Sequence, residues 1–251
     1  MAILDGLIGC WSPSLGASGY RLQDRTKYGN HGTLTNMDAG TDWVASPIGG
    51  VLDFDGTNDY VSIGSPGVFG ASASITVAGW AKLRVSGSQA IAGKYVSLSN
   101  GGWILYGDPA AGWYFDGRDG GYISSGASGA FSANEWYFVA GRKSGNVWSV
   151  SVNGVQKNSV TSGAGTSLMS TTNPMDIGRV LLDAVPSLYA NGQIGEVAFW
   201  RRAVQNAELA ELFRLGNGWI GRQLTGVNRR RRVVKVPGNR RRALMLLGVG
   251  S

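Results

Sequence analysis

The sequence predicts an all-β domain, a sandwich of two antiparallel sheets with one short C-terminal helix, followed by a basic extended tail. Three observations carry this. Gly supplies 40 of 251 residues while charged residues make up only 16%, against averages of roughly 7% and 25%. Short apolar or alternating runs recur between clusters of Gly, Asn, Asp and Ser, the pattern of sandwiches and barrels. Charge is also divided unevenly: residues 1–221 hold 14 Lys/Arg against all 16 Asp/Glu, whereas residues 222–251 hold 9 Lys/Arg and no acid. The net charge of +7 therefore belongs to the tail. The expected domains are a near-neutral body, 1–221, and a basic C-terminal arm, 222–251.

The clearest element signal lies at residues 136–160. Trp136-Tyr137-Phe138-Val139-Ala140 leads through Ser144-Gly145-Asn146 into Val147 to Val152, and Asn153-Gly154 then turns the chain into Val155 to Val160. Asn-Gly between alternating strands predicts a type I′ hairpin, because that turn needs positive φ at both central positions. Trp148, Val150 and Val152 fall on one face and Ser149 and Ser151 on the other, so one side should pack and the other face water. Further strands are expected at Leu7 to Trp11, Val51 to Phe54, Tyr60 to Ile63, Ser74 to Leu83, Ala90 to Lys94, Trp103 to Tyr106, Trp113 to Phe115 and Gln193 to Trp200. Ala207 to Leu215 places Leu209, Leu212 and Phe213 on one helical face, with Asn206 as the expected N-cap and Gly216 as the C-terminal stop.

The length suffices for a dry core. No apolar stretch approaches the ~20 residues a membrane helix needs, so no membrane partner is expected. The first residues lack the basic and apolar regions of a secretory signal. Cys10 is the single cysteine, so no internal disulfide can form.

Five ordered segments resemble the LamG-like, concanavalin A-like jelly-roll domains, a family of lectin and glucanase type. They are Asp24 to Leu34, Gly50 to Val61 with its Asp53-Phe54-Asp55-Gly56 core, Ser74 to Trp80, Glu135 to Ala140 with Val152 to Val155, and Gly192 to Trp200 followed by the helix. The resemblance spans about residues 6 to 216 and implies a concanavalin A-like jelly roll. It does not choose among the functions the fold hosts.

Catalysis finds few residues to work with. The glucanase branch implied by the resemblance uses carboxylates at alternate positions of one strand. Here the four Glu are Glu135, Glu196, Glu208 and Glu211, and none alternates with Asp on an expected strand. A hydrolytic triad would have to use His31, the only histidine, which sits in a Gly-Asn-His-Gly turn and reads as a turn residue. The chain is expected not to be an enzyme. No cofactor is required, but Asp53, Asp55 and Asp59 cluster within seven residues and could hold a structural Ca²⁺. The competing reading is a tight turn made by Asp55-Gly56 and Asn58-Asp59. The resemblance implies a further Asp before the Glu-Val of the closing strand, where this chain has Gly195.

Sugar recognition needs aromatic faces beside hydroxyl-bonding groups. The stretch 100–122 interleaves Trp103, Tyr106, Trp113, Tyr114 and Tyr122 with Asp116 and Arg118 among glycines, and about half the rings should point outward. The arm offers Arg222, Arg229-Arg230-Arg231-Arg232, Lys235 and Arg240-Arg241-Arg242, alternating with the apolar runs Val233-Val234 and Ala243 to Leu247. Such a segment can dock on another protein's sheet edge and carboxylates, or neutralise phosphates of nucleic acid. Together these features predict a bacteriophage virion structural protein, a capsid decoration or cement, made in the host cytoplasm. Its lectin-like body would face outward, its arm would grip the capsid or another structural protein, and it would form part of a homo-oligomeric assembly with cell-surface glycan as a further partner. The alternatives are a free extracellular carbohydrate-binding module or adhesin, and nucleic-acid binding through the arm.

Overall fold

The computed structural model describes residues 3–65, 72–96, 101–118, 121–162, 173–182 and 185–225. Two eight-stranded antiparallel sheets face each other. The first runs β14 (Val155–Thr161), β13 (Val147–Val152), β12 (Tyr137–Ser144), β7 (Ser74–Leu83), β18 (Asn191–Trp200), β5 (Gly49–Asp55), β4 (Trp43–Ser46), and β1 (Leu7–Trp11) also pairs with β18. The second runs β11 (Tyr122–Ser124), β10 (Gly112–Arg118), β9 (Gly101–Asp108), β8 (Gln89–Val96), β15 (Met175–Ile177), β6 (Tyr60–Gly64), β3 (Gly32–Thr35), β2 (Arg21–Leu22). A separate ribbon pairs β16 (Val180–Leu182) with β17 (Val185–Ser187), and α1 (Asn206–Leu215) and α2 (Trp219–Leu224) follow β18. The non-sequential strand order is that of the expected jelly roll, and the expected hairpin is present: Asn153 and Gly154 take φ of 51° and 78°.

Alternation fixes what lies between the sheets. Ile75, Val77, Ala81 and Leu83 of β7 join Trp103, Leu105, Trp113 and Phe115 of the second sheet in one core. Ala78 and Trp80 of β7 point the other way, into a second core with Leu209, Leu212 and Ile220 of the helices. The middle strands of the first sheet are thus buried on both sides. This corrects the sequence expectation for β13, since Ser149 and Ser151 are buried too. Ser151 pairs with Ala140, which belongs to the helix-side core, and α1 crosses this face so closely that a side chain at Gly154 would lie 2.7 Å from the Ala210 backbone.

A β-bulge between Ile194 and Val197 shifts β18 by one residue, so Ile194 and Val197 both face the inner core and Glu196 turns toward the helices. There its buried carboxylate accepts the N–H groups of Ile220 (3.1 Å) and Gly221 (2.7 Å) and locks α2 to the sheet. Burial pushes the Glu196 carboxyl above its ordinary range. Helix α1 begins one residue earlier than expected. Its cap is Gln205 rather than Asn206, and Glu208 reaches back to the Gln205 N–H at 2.8 Å.

Candidate functional site

The site is built by β9, β10 and β11. Their inward residues Trp103, Leu105, Trp113 and Phe115 are fully buried, so the alternating residues Ile104, Tyr106, Tyr114, Asp116 and Arg118 occupy the outer face. Register places Tyr114 opposite Tyr106, Asp116 opposite Ser124 and Arg118 opposite Tyr122. The adjoining part of this face, over β8, is covered. Val180 of the ribbon sits over Gly93 of β8, packing with Ala90, Tyr95 and Ile104. The β9–β11 end stays open, with Tyr122 exposed.

Five of the seven residues singled out for sugar binding meet here. The Tyr106 and Tyr114 rings stack with centroids 4.9 Å apart and planes 7° apart. The hydroxyls of Tyr106 and Tyr122 each donate to Asp116 Oδ2 at 2.7 Å. Asp116 is only 3% exposed, yet among the described residues its buried Oδ1 has no hydrogen-bond partner, and neither has the buried Arg118 Nε. Burial, with the Asp116 carboxylate adjacent, holds both phenols protonated well above their usual range. Tyr122 is 56% exposed. The arrangement is a ring platform beside one unsatisfied acceptor and one unsatisfied donor, a set suited to binding hydroxyls rather than breaking bonds.

Trp103 and Trp113 require correction. Both point between the sheets, Trp103 against Phe199 and Phe115, and Trp113 against Phe131. Neither offers a face on the Tyr106–Asp116–Tyr122 surface. The glycines around them are not openings for a ligand either. Side chains at Gly107 and Gly117 would overlap the rings of Trp113 and Trp148, so these glycines seat the indoles.

The three candidate metal carboxylates do not converge. Asp53 pairs with Arg84 (2.5 Å) and accepts from Gln193. Asp55 accepts the N–H groups of Thr57 and Asn58 in a turn, which holds its carboxyl below the usual range despite partial burial. Asp59 Oδ2 accepts the Asp55 N–H at 3.0 Å, and burial pushes its carboxyl up to about 6. Among the described residues no group of three metal-ligating side chains forms. At Gly195 a side chain would lie 2.5 Å from Asn217 Oδ1, which accepts the Glu196 N–H. Asn217 thus takes the space that an Asp on the closing strand would need.

His31 Nδ1 accepts the Asp24 N–H at 3.1 Å, and burial, with Arg21 nearby, disfavours its protonation. Glu208 pairs with Arg202 and Glu211 with Arg214. Arg222, counted with the arm, instead sits in α2 and donates to the Asn217 carbonyl at 3.1 Å, so the folded body reaches Thr225. Arg229 to Arg232, Lys235 and Arg240 to Arg242 lie outside the described residues. A second outer-face cluster was not expected. Arg179 bonds Asp176 at 2.7 Å and lies 3.3 Å from the Tyr60 ring centroid; only the Asp-x-x-Arg spacing could have signalled it.

Two sheets wrapped as a jelly roll, with rings and a carboxylate on an outer face, define a lectin-type domain. The chain belongs to the Laminin_G_3 family of the concanavalin A-like lectin/glucanases superfamily, whose model matches residues 55–210. Among solved structures it is similar to domain 4 of AbnA, an extracellular GH43 arabinanase of Geobacillus stearothermophilus, in complex with arabinotriose. That likeness has a TM-score of 0.62 at 16% identity and covers 82% of this chain and 97% of the other. The binding domain of Paraclostridial Mosquitocidal Protein 1 gives 0.64 at 13% identity, covering 84% and 52%. Trypanosoma rangeli sialidase with the inhibitor DANA gives 0.55 at 17% identity, covering 82% of this chain and 32% of the sialidase. Identities this low establish the shared fold. No curated protein matches the chain.

Proposed function

We propose that the chain is a non-enzymatic structural component of a bacteriophage particle, a decoration or cement protein. Its body would bind glycan through the Tyr106–Asp116–Tyr122 face, and residues 226–251 would anchor it to the capsid or another virion protein. One observation carries the glycan reading: a stacked tyrosine pair beside a buried carboxylate whose Oδ1 lacks a partner among the described residues. A pyranose ring laid on Tyr106 and Tyr114 would bury its C–H face, and a shift of the exposed Tyr122 ring would uncover the buried Asp116 Oδ1 and Arg118 Nε to bond its oxygens. The likeness to an arabinanase domain crystallised with arabinotriose supports the same reading.

The anchoring reading rests on the arm. Beyond Thr225 it holds eight Lys/Arg and no acid, with two apolar runs between them. A buried, unpaired Cys10 suits synthesis in a reducing cytoplasm followed by release on a particle. The test uses the full-length chain and a truncation after Thr225. A glycan array should give a selective signal with both proteins, lost on Tyr122→Ala, while only the full-length chain enters particles. Normal incorporation of the truncated chain would refute anchoring and leave a free extracellular binding module. A DNA or RNA affinity that falls steeply with salt and vanishes on truncation would assign the arm to nucleic acid instead.

A further inference from the structure

We propose a second binding site, separate from the tyrosine face, in a cleft of about 400 Å³ at the rim of the sandwich, and that it takes a carboxylate-bearing sugar ring. One wall is the 128–132 loop and the other is Tyr137, Val152, Asn153, Val155 and Lys157, with Trp113 at the back. The loop is fixed in place. Trp113 N–H donates to Ser128 Oγ (2.9 Å), Ser128 N–H donates to the Trp113 carbonyl (3.0 Å), and Phe131 N–H donates to the Pro109 carbonyl (3.1 Å). The opposite wall is held by the Asn153-Gly154 turn, where Asn153 Oδ1 accepts the Phe138 N–H at 3.0 Å. The cleft is therefore formed before any ligand arrives.

Its chemistry is one-sided. Phe131 stacks on Trp113 at 4.3 Å and meets Tyr137 edge-on at 5.1 Å, giving an aromatic interior. Tyr137 Oη accepts the Ser132 N–H at 3.1 Å, which leaves its own hydrogen to donate. Because Asn153 Oδ1 is engaged, that amide presents its NH₂. Exposed Lys157 adds a cation, and neither Asp nor Glu lines the cleft. Aromatic walls with one cation and no carboxylate select a ligand with an apolar ring face and an anionic acceptor. The volume lies within the usual range for small-ligand sites, roughly 300–1,000 Å³, and suits one sugar unit.

The test titrates the full chain with glucuronic acid and with glucose, a pair differing in the carboxylate, and maps amide shifts by NMR. Glucuronic acid should move the 128–132 and 153–157 amides and bind more tightly than glucose by about 1.5-fold to fivefold, the range for an exposed ion pair. Lys157→Gln, at an exposed position, should bring that ratio to about 1, and Tyr122→Ala should leave it unchanged. Equal affinity for the two sugars, no binding of either, or insensitivity to Lys157→Gln would overturn the proposal. Shifts confined to residues 104–122 would also overturn it while leaving the tyrosine-face reading intact.

Discussion

Asp59→Asn should stabilise the protein at neutral pH and lose that benefit in acid. The buried Asp59 carboxyl is pushed up to about 6 in the folded protein from an ordinary value of 3.8. A carboxyl that holds its proton more tightly when folded favours folding below about pH 4, and that contribution is lost as pH rises through about 6. The displacement of roughly two pH units, at 1.36 kcal/mol each, sets a ceiling of about 3 kcal/mol on the penalty at pH 8. Partial solvation of the turn reduces this to about 1–2 kcal/mol. Asparagine keeps an oxygen to accept the Asp55 N–H, so the neutral variant avoids the penalty without losing the turn. Urea denaturation at pH 4, 6 and 8 measures the effect. The variant should match wild type at pH 4 and exceed it by pH 8. A variant that is weaker at pH 8, in a background where added Ca²⁺ raises wild-type stability, would refute the reasoning and restore Asp53, Asp55 and Asp59 as a cation site.

Two further substitutions probe the scaffold. Gly107→Ala would push a methyl into the Trp113 ring and should cost about 1–3 kcal/mol by denaturant melting, whereas Gly121→Ala, with nothing within 4 Å, should stay within about 0.5 kcal/mol. Glu196→Ala leaves the Ile220 and Gly221 N–H groups without their acceptor and should cost about 2–4 kcal/mol, with hydrogen exchange of those two amides accelerating first.

Much of the architecture was legible because it depends on local signals. Alternation in Ser74 to Leu83, the Asn153-Gly154 turn and the periodicity of Leu209, Leu212 and Phe213 each specify structure without long-range information. Strands β2, β3, β4, β11, β15, β16 and β17 were missed, each being two to four residues long and too short for alternation to show. Burial of Ser149 and Ser151 was misread because strand periodicity gives two faces but not what covers them, and here the covering helix comes more than fifty residues later. Glycine abundance was assigned to turns, but Gly9, Gly107, Gly117 and Gly141 lie in strands where aromatic rings from neighbouring positions occupy the space of a side chain. At the site, composition gathered Tyr106, Tyr114, Asp116, Arg118 and Tyr122, which the strand register brings to one face. It could not separate them from Trp103 and Trp113, because the parity of each strand relative to the core is decided by the packing of the opposite sheet.

Calorimetric titration of an array-selected glycan into wild type and Asp116→Asn tests the tyrosine face most directly. Replacing the unpartnered acceptor with an NH₂ should weaken binding by about tenfold to a hundredfold, the worth of one hydrogen bond to a charged group, with the fold retained. Undiminished affinity in Asp116→Asn would place the sugar elsewhere on the molecule.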